Sequence, residues 1–155
     1  MDTLGSYLTD DHLRCDALLR RTQQCVGAAC WPDAQLAMQA FSQALERHLL
    51  IEEQIVFPAF EFALGRNAMS PTGAMRAEHL RIRAVVQRLA EAVDAVNGRD
   101  FVKHAEVLLL TMHGHSEKEE GVLYPMIDRV LGRRWPSLLR DAQAFNARDD
   151  CASAA

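Results

Sequence analysis

Glycine and proline are scarce in this chain of 155 residues, at 8 and 5, so few positions are built for tight turns or backbone breaks. Aromatic residues make up only 6%, and 19 β-branched residues (4 Ile, 10 Val, 5 Thr) stand against 23 Ala and 19 Leu. That balance disfavours sheet and favours helix. Positive charge is short too: 17 Lys and Arg face 21 Asp and Glu, for a net charge of −4, and no basic run occurs. Nucleic acid and anionic membrane surfaces, which need a basic face, are therefore not expected partners. No apolar run approaches the roughly 20 residues that span a bilayer. The opening Met1-Asp2-Thr3-Leu4-Gly5 lacks the basic start and apolar stretch of a signal peptide. With the four cysteines read as reduced thiols, a cytoplasmic location is expected. What is present is 49% hydrophobic and 25% charged residues, ordinary globular usage at the length of one domain.

The few breakers divide the sequence into four long helical stretches and a short fifth. The first runs from about Thr3 to Ala28, with Leu4, Leu8, His12, Cys15 and Leu19 on one face at three- and four-residue steps. Gly27 marks its end, and Pro32 suits the first turn of the second helix, which carries Phe41, Leu45, His48, Leu49, Glu52 and Val56 towards Gly65. Ser70-Pro71 opens the third, expected to Val96; Asn97-Gly98 reads as a turn, with Asp100 as the cap of the fourth, which continues to Gly132. A short closing helix is expected over Ser137 to Ala147, with the bundle spanning residues 1–148 and a frayed tail at 149–155. Pro58 and Pro125 lie inside helical patterns and should kink or end them. Long helices on short connections predict an all-α, up-down-up-down four-helix bundle.

An internal repeat organises these helices. His48-Leu-Leu-Ile-Glu52-Glu53-Gln-Ile-Val-Phe57-Pro58 matches His115-Ser-Glu-Lys-Glu119-Glu120-Gly-Val-Leu-Tyr124-Pro125 at an offset of 115 − 48 = 67. Asp11-His12-Leu13-Arg14 matches Glu78-His79-Leu80-Arg81, and 79 − 12 is again 67. Each half is thus a helical hairpin with one His on its first helix and His-x-x-x-Glu on its second. Four of the six histidines obey the rule.

Residues i and i+4 share a helix face, so His48 with Glu52, and His115 with Glu119, each project an imidazole and a carboxylate together. Two such hairpins about a pseudo-twofold axis converge four imidazoles and two carboxylates on the bundle centre, the way bundles build dinuclear metal sites. A nitrogen-rich set suits iron better than calcium or magnesium. Two buried ferric ions against two carboxylates leave a large excess of positive charge. A bridging oxide or hydroxide, with both glutamates spanning the metals, reduces it.

These residues resemble the hemerythrin-like (HHE cation-binding) family of four-helix bundles with a non-haem diiron centre, over about Leu4 to Leu131. The resemblance implies iron ligands at His12, His48, His79 and His115, with Glu52 and Glu119 as bridges. The oxygen-carrying members place another His four residues before the third-helix ligand. Here that position is Met75, and its repeat partner is Leu8. The resulting four-His, two-Glu set is similar to the diiron domain of Ric-type iron-centre repair proteins, associated with nitrosative and oxidative stress. The implied cofactor is a pair of iron ions, the implied ligand a small diatomic molecule or peroxide, and a redox partner protein is compatible with it. Two functions compete: redox or repair chemistry at the site, and reversible binding of dioxygen or nitric oxide as carrier or sensor. Fewer imidazoles leave the irons less saturated, which favours the first.

Other residues receive plainer readings. Glu53 and Glu120 sit about 140° round the helix from His48 and His115 and are expected to be solvated or salt-bridged. Glu46, His104 and His113 read as surface or packing residues, and Cys15 as a small buried apolar group. Asp11, Asp16 and Glu78 either orient imidazoles or answer the helix dipole. Met75 and Leu8 are expected to wall the pocket. Tyr124, paired with Phe57, either packs in the core, the favoured reading, or offers its hydroxyl to the metal ligands, and no dedicated proton donor is expected near the motif.

Overall fold

The computed structural model of the chain describes residues 3–65 and 70–152. Helix α1 (Leu4–Gly27) is capped by Thr3, whose hydroxyl accepts from the Ser6 N–H while Ser6 reaches back to the Thr3 N–H. It is followed by α2 (Trp31–Ile51) and α3 (Phe57–Leu64), then α4 (Thr72–Asp94), α5 (Gly98–Lys118), α6 (Tyr124–Leu131) and α7 (Trp135–Ala152). Helix α1 packs along α2, α4 along α5, and α2 against α4, whereas α1 meets α5 sparsely. The result is the expected helical bundle, and no strand occurs among the described residues. The fold differs at the end of the chain. Helix α7 begins before Ser137 and continues past Ala147, so residues 149–152, expected in the tail, lie on it. Residues 153–155 lie outside the described residues.

The two hairpin turns keep the repeat but not the glycines that seemed to mark it. In these two turns Ala29 and Val96, again 67 apart, carry the left-handed backbone, both at φ 55°. Each is followed by a residue whose N–H reaches back to the last turn: Cys30 to the Cys25 carbonyl at 3.0 Å and Asn97 to the Ala92 carbonyl at 2.8 Å. These are helix-ending motifs of the kind usually built on glycine. Helix α5 is capped by Asn97, whose side chain accepts from the Asp100 N–H at 3.1 Å, so Asp100 is the capped residue and not the cap. Pro71 precedes α4, and the Ser70 hydroxyl accepts from the Thr72 N–H at 3.3 Å, so Ser70-Pro71 opens this helix as expected.

The regular α-helix is interrupted just ahead of Pro58 and of Pro125, but the helical path continues through both. Ahead of each lies a single wide turn, Glu52–Val56 and Glu119–Leu123, in which the Phe57 and Tyr124 N–H groups bond five residues back to the Glu52 and Glu119 carbonyls. The extra residue lets each proline sit in the first turn of a new helical segment, where its missing N–H costs little. Wide turns of this kind gather at functional sites. Here each begins on a repeat glutamate.

The core comes in two parts. One apolar cluster, with Cys15, Leu19, Phe41, Leu45, Leu89, Phe101 and Leu108, fills the end of the bundle that holds the hairpin turns. The other, with Leu4, Leu8, Phe57, Phe60, Met75, Tyr124 and Ile127, fills the opposite end beneath α7. Between them lies a buried polar layer: His12, His48, Glu52, His79, His115 and Glu119. At the lower end, α1 and α6 approach closely at Gly5. Its N–H donates to Asp128 at 3.1 Å, and a Cβ there would stand 2.7 Å from the Asp128 carboxylate and 3.0 Å from the Tyr124 Cβ.

Candidate metal centre

The hairpin geometry brings all six repeat residues to one level. Two sets of donor atoms result, each set within 4.8 Å of one another: Glu52, His79, His115 and Glu119 in one, His12, His48 and Glu119 in the other. Glu119 belongs to both. Its Oε1 is 3.0 Å from His115 Nε2 and 3.7 Å from His79 Nε2, while its Oε2 is 3.2 Å from His12 Nε2. Glu52 Oε2 lies 3.3 Å from His79 Nε2 and 3.6 Å from His48 Nε2. His12 and His48 face each other at 3.0 Å between Nε2 atoms.

The outward nitrogens obey the repeat as closely as the inward ones. His12 Nδ1 meets Glu120 at 2.7 Å, and its counterpart His79 Nδ1 meets Glu53 at 2.8 Å. His115 Nδ1 meets Glu78 at 2.9 Å, but the equivalent His48 Nδ1 stands 3.7 Å from Asp11, too far for a hydrogen bond. Asp11 is one methylene shorter than Glu78, which accounts for the gap. A carboxylate on Nδ1 fixes the ring and leaves Nε2 aimed inward, the arrangement that supports metal-binding histidines. Of the readings left open for the acids, orientation therefore holds for Glu78. Asp16 is exposed and makes no such bond. Glu53 is salt-bridged as expected, to Arg83 at 2.8 Å. The sequence reading missed that it and Glu120 also accept from imidazoles on the neighbouring hairpin, because a pairing across helices leaves no i+4 signature.

Tyr124 requires a correction. It is buried as expected, yet its hydroxyl donates to Glu52 Oε1 at 2.7 Å and lies 3.1 Å from Glu119 Oε2 and 3.2 Å from His12 Nε2. The reason is the wide turn. Five residues on a regular helix place two side chains about 140° apart, but across Glu119–Leu123 five residues complete roughly one turn. Tyr124 therefore returns to the face of Glu119. Phe57, its repeat partner, has no hydroxyl and instead stacks on His79 with centroids 5.9 Å apart.

The electrostatics follow from these contacts. Burial disfavours charge on His12, but hydrogen bonds to Glu119 and Glu120 outweigh it and raise the imidazole to about 9. Burial likewise opposes protonation of His79, and Glu119 and Glu52 overcome it, to about 10. Glu119 is desolvated, yet His115, His12 and His79 hold it well below the ordinary carboxylate range. Burial and the Glu52 and Glu119 charges push the Tyr124 phenol well above its usual value. Cys15, in the core beside the site, is driven to about 12 by burial and is therefore an inert thiol.

The donor set fits metal ions. Glu52 Oε2, His79 Nε2, His115 Nε2 and Glu119 Oε1 are buried and lack a hydrogen-bond partner among the described residues. Each orphaned polar atom costs about 1–3 kcal/mol unless something satisfies it, and a cation shared by imidazole and carboxylate does so. His104 and His113 belong to neither donor set; His113 is exposed and pairs with Glu117 at 3.3 Å.

The description of the hemerythrin HHE cation binding domain matches residues 3–132. That span holds the bundle, both wide turns and all six central residues. The chain belongs to the hemerythrin HHE cation-binding domain family, which accords with a metal centre built from buried His and Glu. Neither the curated proteins nor the solved structures contain a significant match to it. No helix among the described residues is long and apolar enough to cross a membrane.

Proposed function

We propose that this protein is a non-haem diiron protein of the cytoplasm that carries out redox chemistry on a small molecule, such as nitric oxide, dioxygen or peroxide, in stress response or iron-centre repair. The observation that carries the reading is the sharing of Glu119 between two adjoining donor sets. His12 and His48 would hold one ion and His79 and His115 the other, with Glu52 and Glu119 between them. A pair of iron ions held there supplies one-electron steps and open coordination positions for a diatomic or peroxide ligand.

The chain's own residues support redox chemistry over simple storage. Glu120, Glu53 and Glu78 fix three imidazole rings through Nδ1, so the site is organised before ligand arrives. The Tyr124 O–H, 2.7 Å from Glu52 and 3.1 Å from Glu119, holds a proton beside both carboxylates. That is the donor a reduced diatomic ligand requires. Met75 and Leu8 belong to the buried apolar cluster that forms the floor beneath the polar layer, and such a floor would keep water away from the site. A redox partner protein would deliver the electrons.

Reversible binding by a carrier or sensor is the competing function, and the apolar floor is compatible with it. Optical spectra separate the two. Reduced, iron-loaded protein is exposed anaerobically to nitric oxide or to dioxygen and then returned to inert gas. One-way conversion to the diferric state, or release of nitrous oxide, supports redox chemistry, and full spectral reversal supports a carrier. Metal analysis of tag-free protein purified without chelator comes first: fewer than two ions per chain, or zinc in place of iron, overturns the diiron reading.

A further inference from the structure

The repeat is close to symmetric at the metal level and asymmetric just outside it. Of the outer carboxylates around the imidazoles, three are pinned by a cation. Arg14 holds Asp11, Lys118 holds Glu78, and Arg83 spans Glu53 and Glu46, with four nitrogen–oxygen contacts between 2.8 and 3.1 Å. Glu120 has no cation other than His12 among the described residues, and its side chain is 40% exposed. The repeat explains the difference. Positions 83, 46 and 53 correspond to 16, 113 and 120, so the clasp Arg83–Glu46–Glu53 becomes Asp16, His113 and Glu120. Two of the three positions change, which removes the complementary charges, and no such clasp forms among the described residues.

The consequence is an opening. A groove of about 380 Å³ runs between α1 and α5, lined by Asp16, Met112, His113, Ser116 and Glu120, and it reaches His12. The equivalent groove between α2 and α4 holds Arg83 and Glu46 on its wall and includes none of the four imidazoles. Exposure agrees: the His12 side chain is 9% exposed and that of His79, behind the clasp, 0%. The sparse contact of α1 with α5 gives the groove its width.

We propose that the α1/α5 groove is the entrance to the metal centre. Divalent metal ions load through it and small ligands follow the same route, with Glu120 as the movable carboxylate at the inner end, while the Arg83 clasp seals the opposite side. This rests on the metal-centre reading above, and its test reads a rate where that reading is tested by an end point. Chelated protein is mixed anaerobically with ferrous ion in a stopped-flow instrument, and uptake is followed to completion. Asp16→Arg with His113→Glu rebuilds the clasp on the open side, and Ser116→Trp narrows the groove without changing charge; circular dichroism establishes that each is folded. Both variants should load more slowly by roughly tenfold or more and reach the wild-type metal content. Should the rebuilt clasp fail to fold, Ser116→Trp alone decides. Loading at the wild-type rate in the folded variants overturns the entrance. A wild-type chain that binds no ferrous ion overturns the metal centre itself, and the route with it.

Discussion

The Tyr124 hydroxyl donates a 2.7 Å hydrogen bond to Glu52, a residue 72 positions away on the opposite hairpin. It ties the two halves of the repeat together at the one level where they carry their chemistry. Because its counterpart is Phe57, the bond also makes the two donor sets unequal.

Tyr124→Phe copies the other half of the repeat and should fold. In metal-free protein it leaves Glu52 Oε1 buried without its donor, which costs about 1–3 kcal/mol in chemical denaturation. Iron-loaded protein should keep both ions but show a changed visible spectrum and a slower one-way reaction. Identical spectra and rates in variant and wild type would remove Tyr124 from the site's chemistry.

Replacing an inward imidazole should cost metal, and replacing one outside both donor sets should not. His48→Ala is expected to lower bound iron from two ions per chain to one or fewer, whereas His104→Ala retains both. Elemental analysis at matched protein concentration decides the point, and equal loss in both variants would discredit the assignment of the six residues.

Protons and metal compete for the same nitrogens. His12 and His79, raised to about 9 and about 10 from an ordinary 6.5, stabilise metal-free protein fully below about 6.5, and that stability disappears as pH rises through the folded-state values. Chelated protein should therefore lose stability from neutral to alkaline pH. Metal binding needs these imidazoles neutral, so loading at pH 7.5 should release protons, and affinity should climb with pH. A pH-stat measures the release directly; no proton release on loading would refute the competition. On the acid side, Glu119 lies well below the carboxylate range, so its contribution is present above about 4.5 and is lost as pH falls through its depressed value.

Val96 holds left-handed backbone at φ 55° with a β-branched side chain that is 53% exposed. Such a conformation costs an L-residue about 1–2 kcal/mol, and glycine adopts it without that penalty. Val96→Gly should raise stability by about 1 kcal/mol, after the entropy that glycine adds to the unfolded chain is subtracted. Thermal unfolding should register an increase of a few degrees, and a lower midpoint would show that the turn is unstrained.

How much of this was written in the sequence depends on the range of each contact. The helices, their pairing and the six central residues were legible because the His-x-x-x-Glu spacing acts within one helix, where 3.6 residues per turn translate separation into direction, and the 67-residue offset repeats that pattern in the second hairpin. The position of the Tyr124 hydroxyl was not legible in the same way, since the wide turns before Pro58 and Pro125 change the residues per turn and are absent from any regular pattern. Glycines at 27 and 98 suggested turn positions, but the left-handed residues in these two turns are Ala29 and Val96; the backbone hydrogen bonds that end each helix, rather than local preference, set the place.

By itself, then, the order of residues determined an all-helical chain of two equivalent hairpins with imidazoles and carboxylates in register. Tertiary structure alone decided which carboxylate meets which imidazole, that a phenol joins them, and that one flank is clasped by Arg83 while the other stands open. Those relations join residues from different helices, and their distances depend on how the helices pack, which no spacing along a single helix encodes.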